Sequence, residues 1–504
     1  MARDLLHSPR PGEAAAYPRA ALTGSAALLL AACAVGPNFQ PPAPPAVNRY
    51  TPDPMSASTN KAAVAGGESQ SFVEGASVAG DWWTWFRSPT LTAVVTQALK
   101  ANPDMAAARA GLRAAHETYL AQWGALLPSA EANYNVARQQ ASATLAPPLA
   151  SNSNPFTLQT ATVSVAYAAD VFGGVRRQTE ATRAQVDLAR YQAEATYLTL
   201  TSNLVLAEFQ EASLRAQIDA TSQIISSAEA VMKITVRQHD LGQLSGADVL
   251  AQAALLAQAR QTLPPLQKQW AQQRDLIADL TGHAPSDALP GLLDLESLSL
   301  PTELPVSLPA QLVEQRPDVL AARANLHVAS AEVGVAIANR LPSFQLSANV
   351  GGAATNIANL FANGNSFWSL AAGVTQPIFQ GGALLHRQRA AEASLDQAKA
   401  QYRSAVLGAL QNVADCLQAL DFDASALSAA SAASDSAGRS LTIGRRQLEL
   451  GQIGFVAVLN AEQTDQQARI ALIQTRAARY ADTVALFAAL GGGWWARNDL
   501  GGVR

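Results

Sequence analysis

Two periodicities alternate along this chain. Leu214, Ile218, Ile225 and Met232 recur at intervals of 4, 7 and 7 inside the proline-free residues 175–240. Val406, Leu410, Val413, Leu417, Leu420 and Leu427 step by 4, 3, 4, 3 and 7 inside the proline-free residues 383–450. Apolar positions at that spacing form one seam of a coiled coil, so each stretch is predicted to be a single long α-helix. At ~1.5 Å per residue such a rod is roughly 100 Å long, more than three times the ~30 Å hydrocarbon thickness of a bilayer. The remaining helical surface is crowded with Ala, Ser, Gln and Thr, which lets neighbouring helices approach closely and leaves no broad face for lipid.

The second periodicity is two. Ala130, Ala132, Tyr134 and Val136 alternate with Glu131, Asn133 and Asn135, and Phe344, Leu346, Ala348 and Val350 alternate with Gln345, Ser347 and Asn349. Partner runs follow, with Ala161, Val163, Val165 and Tyr167 in one and Trp368, Leu370, Ala372 and Val374 in the other. Strands are therefore expected at about 129–141, 156–170, 343–353 and 366–376. Their length and one apolar face suit the wall of a transmembrane barrel, but half-buried strands of a soluble sheet give the same pattern. A dimeric coiled coil would explain the heptads and leave the strands unexplained.

The two kinds of element recur as two copies of one plan. Asn102, Pro103, Asp104 and Arg109 reappear as Arg316, Pro317, Asp318 and Arg323, and Leu127, Pro128 and Ser129 as Leu341, Pro342 and Ser343, at a displacement of 214 residues from Pro103 to Pro317. Val171, Phe172, Gly173 and Gly174 are answered by Ile378, Phe379, Gly381 and Gly382. Leu241, Gly242 and Gln243 are answered by Leu450, Gly451 and Gln452, where the displacement is 209. Each copy reads helix, strand, strand, long helix, turn, return helix. The glycine pairs, and Gln376 with Pro377, stand where each second strand hands over to its long helix and the chain must change direction sharply. In the first return helix, Pro264 and Pro265 are expected to kink or break the column, most simply as a join between stacked helices.

The amino terminus reads as an address. Arg3, Arg10 and Arg19 precede a short apolar run, residues 20–32, which suits the core of a secretory signal and is too short to span a bilayer. The run ends in Leu30, Ala31, Ala32 and Cys33, similar to a bacterial lipobox, in which cleavage precedes an acylated cysteine; an ordinary signal with an incidental cysteine is the alternative. Acyl chains contribute about 0.8 kcal/mol per buried methylene, so Cys33 would anchor the mature chain, and Ala34, not being Asp, favours the outer membrane by resemblance to sorted lipoproteins. Residues 33–80 are rich in Pro, Ser, Ala and Gly without periodicity and are expected to be an extended tether. Trp82, Trp83, Trp85 and Phe86 then form an aromatic knot expected to dock on the rest of the protein.

Composition removes other classes of function. The 504 residues carry a formal net charge of −4 and 15% charged residues, with no basic face to neutralise nucleic-acid phosphates. Two cysteines, Cys33 and Cys416, cannot form a disulfide framework or a thiolate metal site. His7, His116, His239, His283, His327 and His386 are scattered without ligand spacing, and no phosphate-cradling Gly-x-x-x-x-Gly-Lys occurs. Gly491, Gly492 and Gly493 are expected to end a helix, and Cys416 to be a packed, inert thiol on the heptad helix. No window of ~18 apolar residues follows the leader, so a helical transmembrane span is excluded. Four strands alone cannot close a membrane barrel, for which single-chain examples start at about eight, so several chains must share one.

The lipobox followed by Val35, Gly36, Pro37, Asn38 and Phe39 belongs to a larger combination. With Trp82, Trp83 and Phe86, the doubled Pro-Asp and Leu-Pro-Ser signals, and the closing Leu490, Gly491, Gly492, Gly493 and Trp494, it resembles a TolC-family outer-membrane efflux protein of the NodT-type lipoprotein branch. The resemblance implies a mixed α/β membrane protein: a trimeric outer-membrane β-barrel with four strands per chain, continuous with a long α-helical coiled-coil barrel in the periplasm. It implies an exit duct of a tripartite efflux pump, partnered by a periplasmic adaptor and an inner-membrane transporter. No catalysis is expected, and no cofactor beyond the lipid on Cys33. A periplasmic adaptor or a structural coiled-coil envelope lipoprotein remains the alternative, although an adaptor would not need four membrane-length strands.

The corresponding plan is a signal (1–32), anchor and tether (33–80), first repeat (81–282), equatorial linker (283–308), second repeat (309–495) and tail (496–504). On it, the turns at Leu241, Gly242, Gln243 and at Leu450, Gly451, Gln452 form the periplasmic tip, closing the tunnel and meeting the adaptor. Relatives often carry acidic residues just after the second turn, forming a cation-attracting constriction. The matching positions here are Ala457 and Asn460, so that ring is expected to be absent. Asp248, Glu462 and Asp465 are the nearby acidic candidates, with a merely solvated helix face as the other reading.

Overall fold

The computed structural model describes residues 34–140, 142, 154–287 and 293–497, so the leader, Cys33 and the last seven residues lie outside the described residues. In chain order the elements are β1 (Ser71–Glu74), α1 (Pro89–Ala101), α2 (Pro103–Gly124), β2 (Ser129–Gln139), β3 (Phe156–Ala169), α3 (Gly174–Asp240) and α4 (Gly246–Leu280). Then come β4 (Glu303–Val306), α5 (Pro309–Gln315), α6 (Pro317–Ala338), β5 (Ser343–Ala354), β6 (Ser366–Thr375), α7 (Ala383–Glu449) and α8 (Phe455–Ala489). The duplication is closest in the three main pairs of helices. α2 and α6 have 22 residues each, α3 and α7 have 67, and α4 and α8 have 35.

The doubled Pro-Asp signal begins α2 and α6, by different chemistry in each. Asn102 Oδ1 accepts from the amides of Asp104 and Met105 at 2.9 and 3.1 Å, capping α2. At the matching place Arg316 donates to both carboxylate oxygens of Asp318, at 3.0 and 2.7 Å, and to the Ala489 carbonyl at 3.0 Å.

The chain divides into two compact units. One, formed by residues 1–39, 119–182 and 328–395, contains a fully antiparallel sheet of order β2-β3-β5-β6. Its register settles what alternation left open. Ala132, Val163, Val350 and Trp368 lie in one row across the four strands, and Ala130, Val165, Ala348 and Leu370 in another. The other face carries rows such as Glu131, Ser164, Asn349 and Ser369. Side chains alternate along each strand, so one face is apolar across its middle, with Arg138, Thr157, Gln159 and Ser366 at one end of it. A soluble sheet would bury that face; here Trp368 is 79% and Leu370 76% exposed.

The second unit, residues 40–118, 183–327 and 396–504, holds the helical seams. Val406, Val413, Leu417, Leu420 and Leu427 are buried, as the heptads predict. The first copy departs from this pattern, because Glu208 and Glu211, both buried in α3, stand where the 209 displacement places Leu417 and Leu420. The aromatic knot is a short 3-10 helix, Trp82–Phe86, with Phe86 edge-on to Phe209 at 5.0 Å and Trp82 tilted on Phe487 at 5.6 Å.

Four sequence expectations are corrected. The tether does not run free to residue 80. β1 pairs in parallel with β4, and Tyr50 Oη donates to the Ser307 carbonyl at 2.7 Å. The reason lies some 400 residues away: Arg479, fully buried on α8, donates to Thr59 Oγ1 at 2.9 Å and to the Glu68 carbonyl at 2.6 Å. A buried guanidinium needs acceptors, and this segment supplies them. By the same pairing the linker 283–308 contains a strand. Third, α4 runs unbroken through Pro264 and Pro265. Buried Ala259 before the prolines and Ile277 with Ala278 after them hold both halves against neighbours, so packing overrides the local cost of the lost amide donors. The tail also begins later than 496, since Arg497 stacks on the Tyr197 ring at 3.3 Å and reaches Glu194 at 3.4 Å.

Candidate functional site

The two tip turns share one geometry. After α3, the amide of Gly242 donates to the His239 carbonyl at 2.7 Å and that of Gln243 to the Gln238 carbonyl at 2.8 Å. After α7, Gly451 donates to the Leu448 carbonyl at 2.9 Å and Gln452 to the Gln447 carbonyl at 2.8 Å. This crossed pair of bonds is the Schellman closure of a helix, and it places glycine at a positive φ, 73° for Gly242 and 70° for Gly451. Leu241 and Leu450, beside those glycines, are exposed.

The turns differ in how the return helix starts. Ser245 accepts from the Asp248 amide, and Asp248 Oδ2 accepts from the Ser245 amide at 2.9 Å and hydroxyl at 2.7 Å, a complete capping box. The Ser245 hydroxyl, and after it the Ser245 amide, hold the Asp248 carboxyl below its usual range. At the second turn the 209 displacement puts Gly454 and Ala457 in these places, and Gly454 makes no side-chain cap. Asp248 is thus a helix-capping residue whose counterpart is Ala457.

The remaining candidates separate into two groups. Ala457 and Asn460 are exposed on α8. Glu462 and Asp465 are buried, against the reading of a solvated face. Glu462 pairs with Arg445 of α7 at 2.9 Å, and Asp465 with Arg469 at 2.9 Å while lying against Gly438 of α7. Both acids are engaged within the chain, in the contact between α7 and α8.

Cys33 lies outside the described residues, but the residues that follow it are held. Arg177, at the first turn of α3 and almost wholly buried, donates to the Val35 carbonyl at 3.0 Å and to Asn38 Oδ1 at 2.7 Å, and pairs with Glu180 at 2.7 Å. A side chain on Gly36 would meet the Gly334 Cα at 2.5 Å, so the segment crosses α6 backbone to backbone. Sequence reasoning missed Arg177 and Arg479. Each stands among other charged residues, Arg177 beside Arg176, Glu180 and Arg183 and Arg479 between Arg476 and Asp482, so nothing local marked it as the buried one.

Among the described residues, no group of three His, Cys, Asp or Glu side chains is placed to hold a metal ion. Burial, with Asp482 and Asp415 adding, pushes the Cys416 thiol up to about 11, which keeps it protonated. No described helix is long and apolar enough to cross a membrane. What the arrangement offers is a bare apolar sheet with two open edges, β2 and β6, and long amphipathic rods.

Comparison with known proteins agrees with this geometry. The sequence matches the family described as outer membrane efflux protein over residues 94–283 and 308–492. It is 28% identical to the pyoverdine export outer membrane protein OpmQ of Pseudomonas putida, across 82% of this chain and 88% of that protein. It is also 28% identical to the toluene efflux pump outer membrane protein TtgC of Pseudomonas putida, across 93% and 94% of the two chains. Among solved structures, the outer-membrane channel OprN superposes with a TM-score of 0.80 at 26% identity, covering 92% of this chain and all of that one. The Campylobacter jejuni outer membrane channel CmeC shares the fold at a TM-score of 0.80 and 20% identity, covering 93% and 97%.

Proposed function

The chain belongs to the outer membrane efflux protein family and is an outer-membrane exit duct, and from that premise we propose that three copies join their sheets into one twelve-stranded barrel standing on a periplasmic tunnel of helices. The observation that carries this reading is the sheet itself. It has an exposed face that is apolar across its middle and edge strands β2 and β6, each paired on one side only. In lipid an open edge leaves unpaired amides and carbonyls at several kcal/mol each, so the edges must meet those of other copies.

The duct receives cargo from a periplasmic adaptor and an inner-membrane pump, which supplies the energy. The tip turns, with Leu241 and Leu450 exposed beside Gly242 and Gly451, are the surfaces that close the tunnel and meet the adaptor. Ala457 and Asn460 line the constriction, which therefore lacks an acidic ring. Cys33 is acylated, and the docking of residues 35–38 on Arg177 supports an anchor held beside the sheet.

Outer-membrane fractions are expected to contain a heat-modifiable trimer with single-channel conductance in planar bilayers, and palmitate labelling that Cys33→Ala abolishes. A monomer that leaves planar bilayers non-conducting would overturn the duct assembly. Unlabelled wild-type protein would overturn the anchor alone.

A further inference from the structure

The duplication that builds the chain also predicts how one copy joins the next. The β3·β5 ladder joins the first repeat to the second, and it pairs Val163 with Val350, Val165 with Ala348 and Ala161 with Gly352. The junction missing from a single chain is from the second repeat back to a first repeat, β6 to β2 of another copy.

Its register follows from two displacements. β2 maps onto β5 by 214 residues, as Ser129 to Ser343. Within the hairpins Ser129 faces Ala166 and Ser343 faces Thr375, so β3 maps onto β6 by 209, the displacement that also carries α3 onto α7. We propose that β6 of one copy pairs antiparallel with β2 of the next in the register that sets Ala372 opposite Val136, Val374 opposite Tyr134 and Leu370 opposite Arg138. This rests on the three-copy barrel argued above, and it specifies the seam of that barrel.

Two observations not used in the derivation agree with it. Trp368, Leu370, Ala372 and Val374 are on the apolar face of β6, and Ala132, Tyr134 and Val136 on the apolar face of β2, as their intrachain partners show. The transferred register matches these two faces; a slip by one residue would turn every apolar side chain of one strand to the polar side. Transferred at full length the β3·β5 ladder would set Pro377 opposite Glu131, and since Pro377 has no amide hydrogen to donate, the new ladder ends near Thr375 opposite Asn133. Strand direction is consistent as well, because four antiparallel strands per copy leave β6 and the next β2 opposed.

The test is disulfide trapping in the full chain, in outer membranes, on a Cys416→Ser background. Ala372→Cys with Val136→Cys, and Ala371→Cys with Ala137→Cys, place cysteines directly opposite in the proposed register. These neighbouring pairs alternate between bonded and non-bonded ladder positions, so one of them has the close Cα approach that a disulfide needs. Oxidation is expected to give interchain dimers and trimers from at least one of these pairs, several-fold more than from the slipped pair Ala372→Cys with Tyr134→Cys. Stronger linking of the slipped pair would overturn the register. No linking at any β6–β2 pair in a protein that still migrates as a trimer would overturn the seam. No linking in a protein that migrates as a monomer would overturn the three-copy reading on which it stands.

Discussion

The guanidinium of Arg177 holds the carbonyl of Val35 at 3.0 Å. The contact ties residues 35–38 to the first turn of α3, which follows β3. Arg177→Ala is expected to leave the acceptors on Val35 and Asn38 unfilled and to loosen residues 34–38 by about 2–3 kcal/mol. Faster amide exchange at Val35 and Gly36, with lipid labelling unchanged, is the result that checks it. Arg177→Lys should recover only part of the loss, since a single ammonium lacks the planar fork that reaches two acceptors and Glu180 together.

Arg479 serves the same purpose in the other unit. Replacing it with Met removes the donors to Thr59 Oγ1 and the Glu68 carbonyl while keeping most of the buried volume. The expected cost is about 3 kcal/mol, read as a lower melting temperature and as new proteolytic cleavage between residues 57 and 72. Thr59→Val, which unpairs one arginine donor and also the buried Gln70 amide, should cost about 2 kcal/mol.

Glu208 makes the helical unit sensitive to pH. Burial, with the like charge of Glu211 adding and Arg274 opposing, pushes its carboxyl up from the usual 4.5 to about 7. The folded state therefore binds more protons than the unfolded state between those values, and stability from this group falls as pH rises through 7. Glu208→Gln keeps the shape and removes the charge. The variant is expected to melt several degrees above the parent at pH 8 and close to it at pH 5; an equal shift at both pH values would discount the titration.

The second tip turn lacks the cap that the first possesses, and the cap can be transplanted. Gly454 has φ −77° and ψ 157°, extended values that serine adopts freely, with open space around its Cα. Gly454→Ser with Ala457→Asp should restore the capping box and stabilise the start of α8 by about 1 kcal/mol, seen as slower amide exchange there.

Asn460→Asp tests the constriction. In the proposed trimer it would set three carboxylates around the tip, and conductance should become sensitive to divalent cations. Unchanged conductance with and without them would remove Asn460 from the lumen.

Much of this fold is visible in one dimension, because its signals are periodic. The heptads that end at Leu427, the alternation from Phe344 to Val350 and the doubled Pro-Asp turns need no knowledge of distant partners. What escaped depends on contacts between remote residues. Thr59 and Gln70 carry no local sign that Arg479 and Thr483 will need them. Glu462 resembles any helix-surface acid until Arg445 of the preceding rod is found beside it. Pro264 and Pro265 predict a break from local rules, and the packing of Ala259 and Ile277 outweighs those rules. At the candidate site the tip glycines were legible, because only a left-handed residue closes a helix in that way. The inward turn of Glu462 and Asp465 was not.

Both hairpins have arms of 67 and 35 residues. In the proposed duct, a mouth built from two kinds of turn stays level only while those arms agree, so any lengthening must be made in both arms of both hairpins. Steps of about seven residues would preserve the heptad phase and add roughly 10 Å each. Matched insertions of that kind would yield nozzles of graded reach, fitted to cell envelopes of different depth.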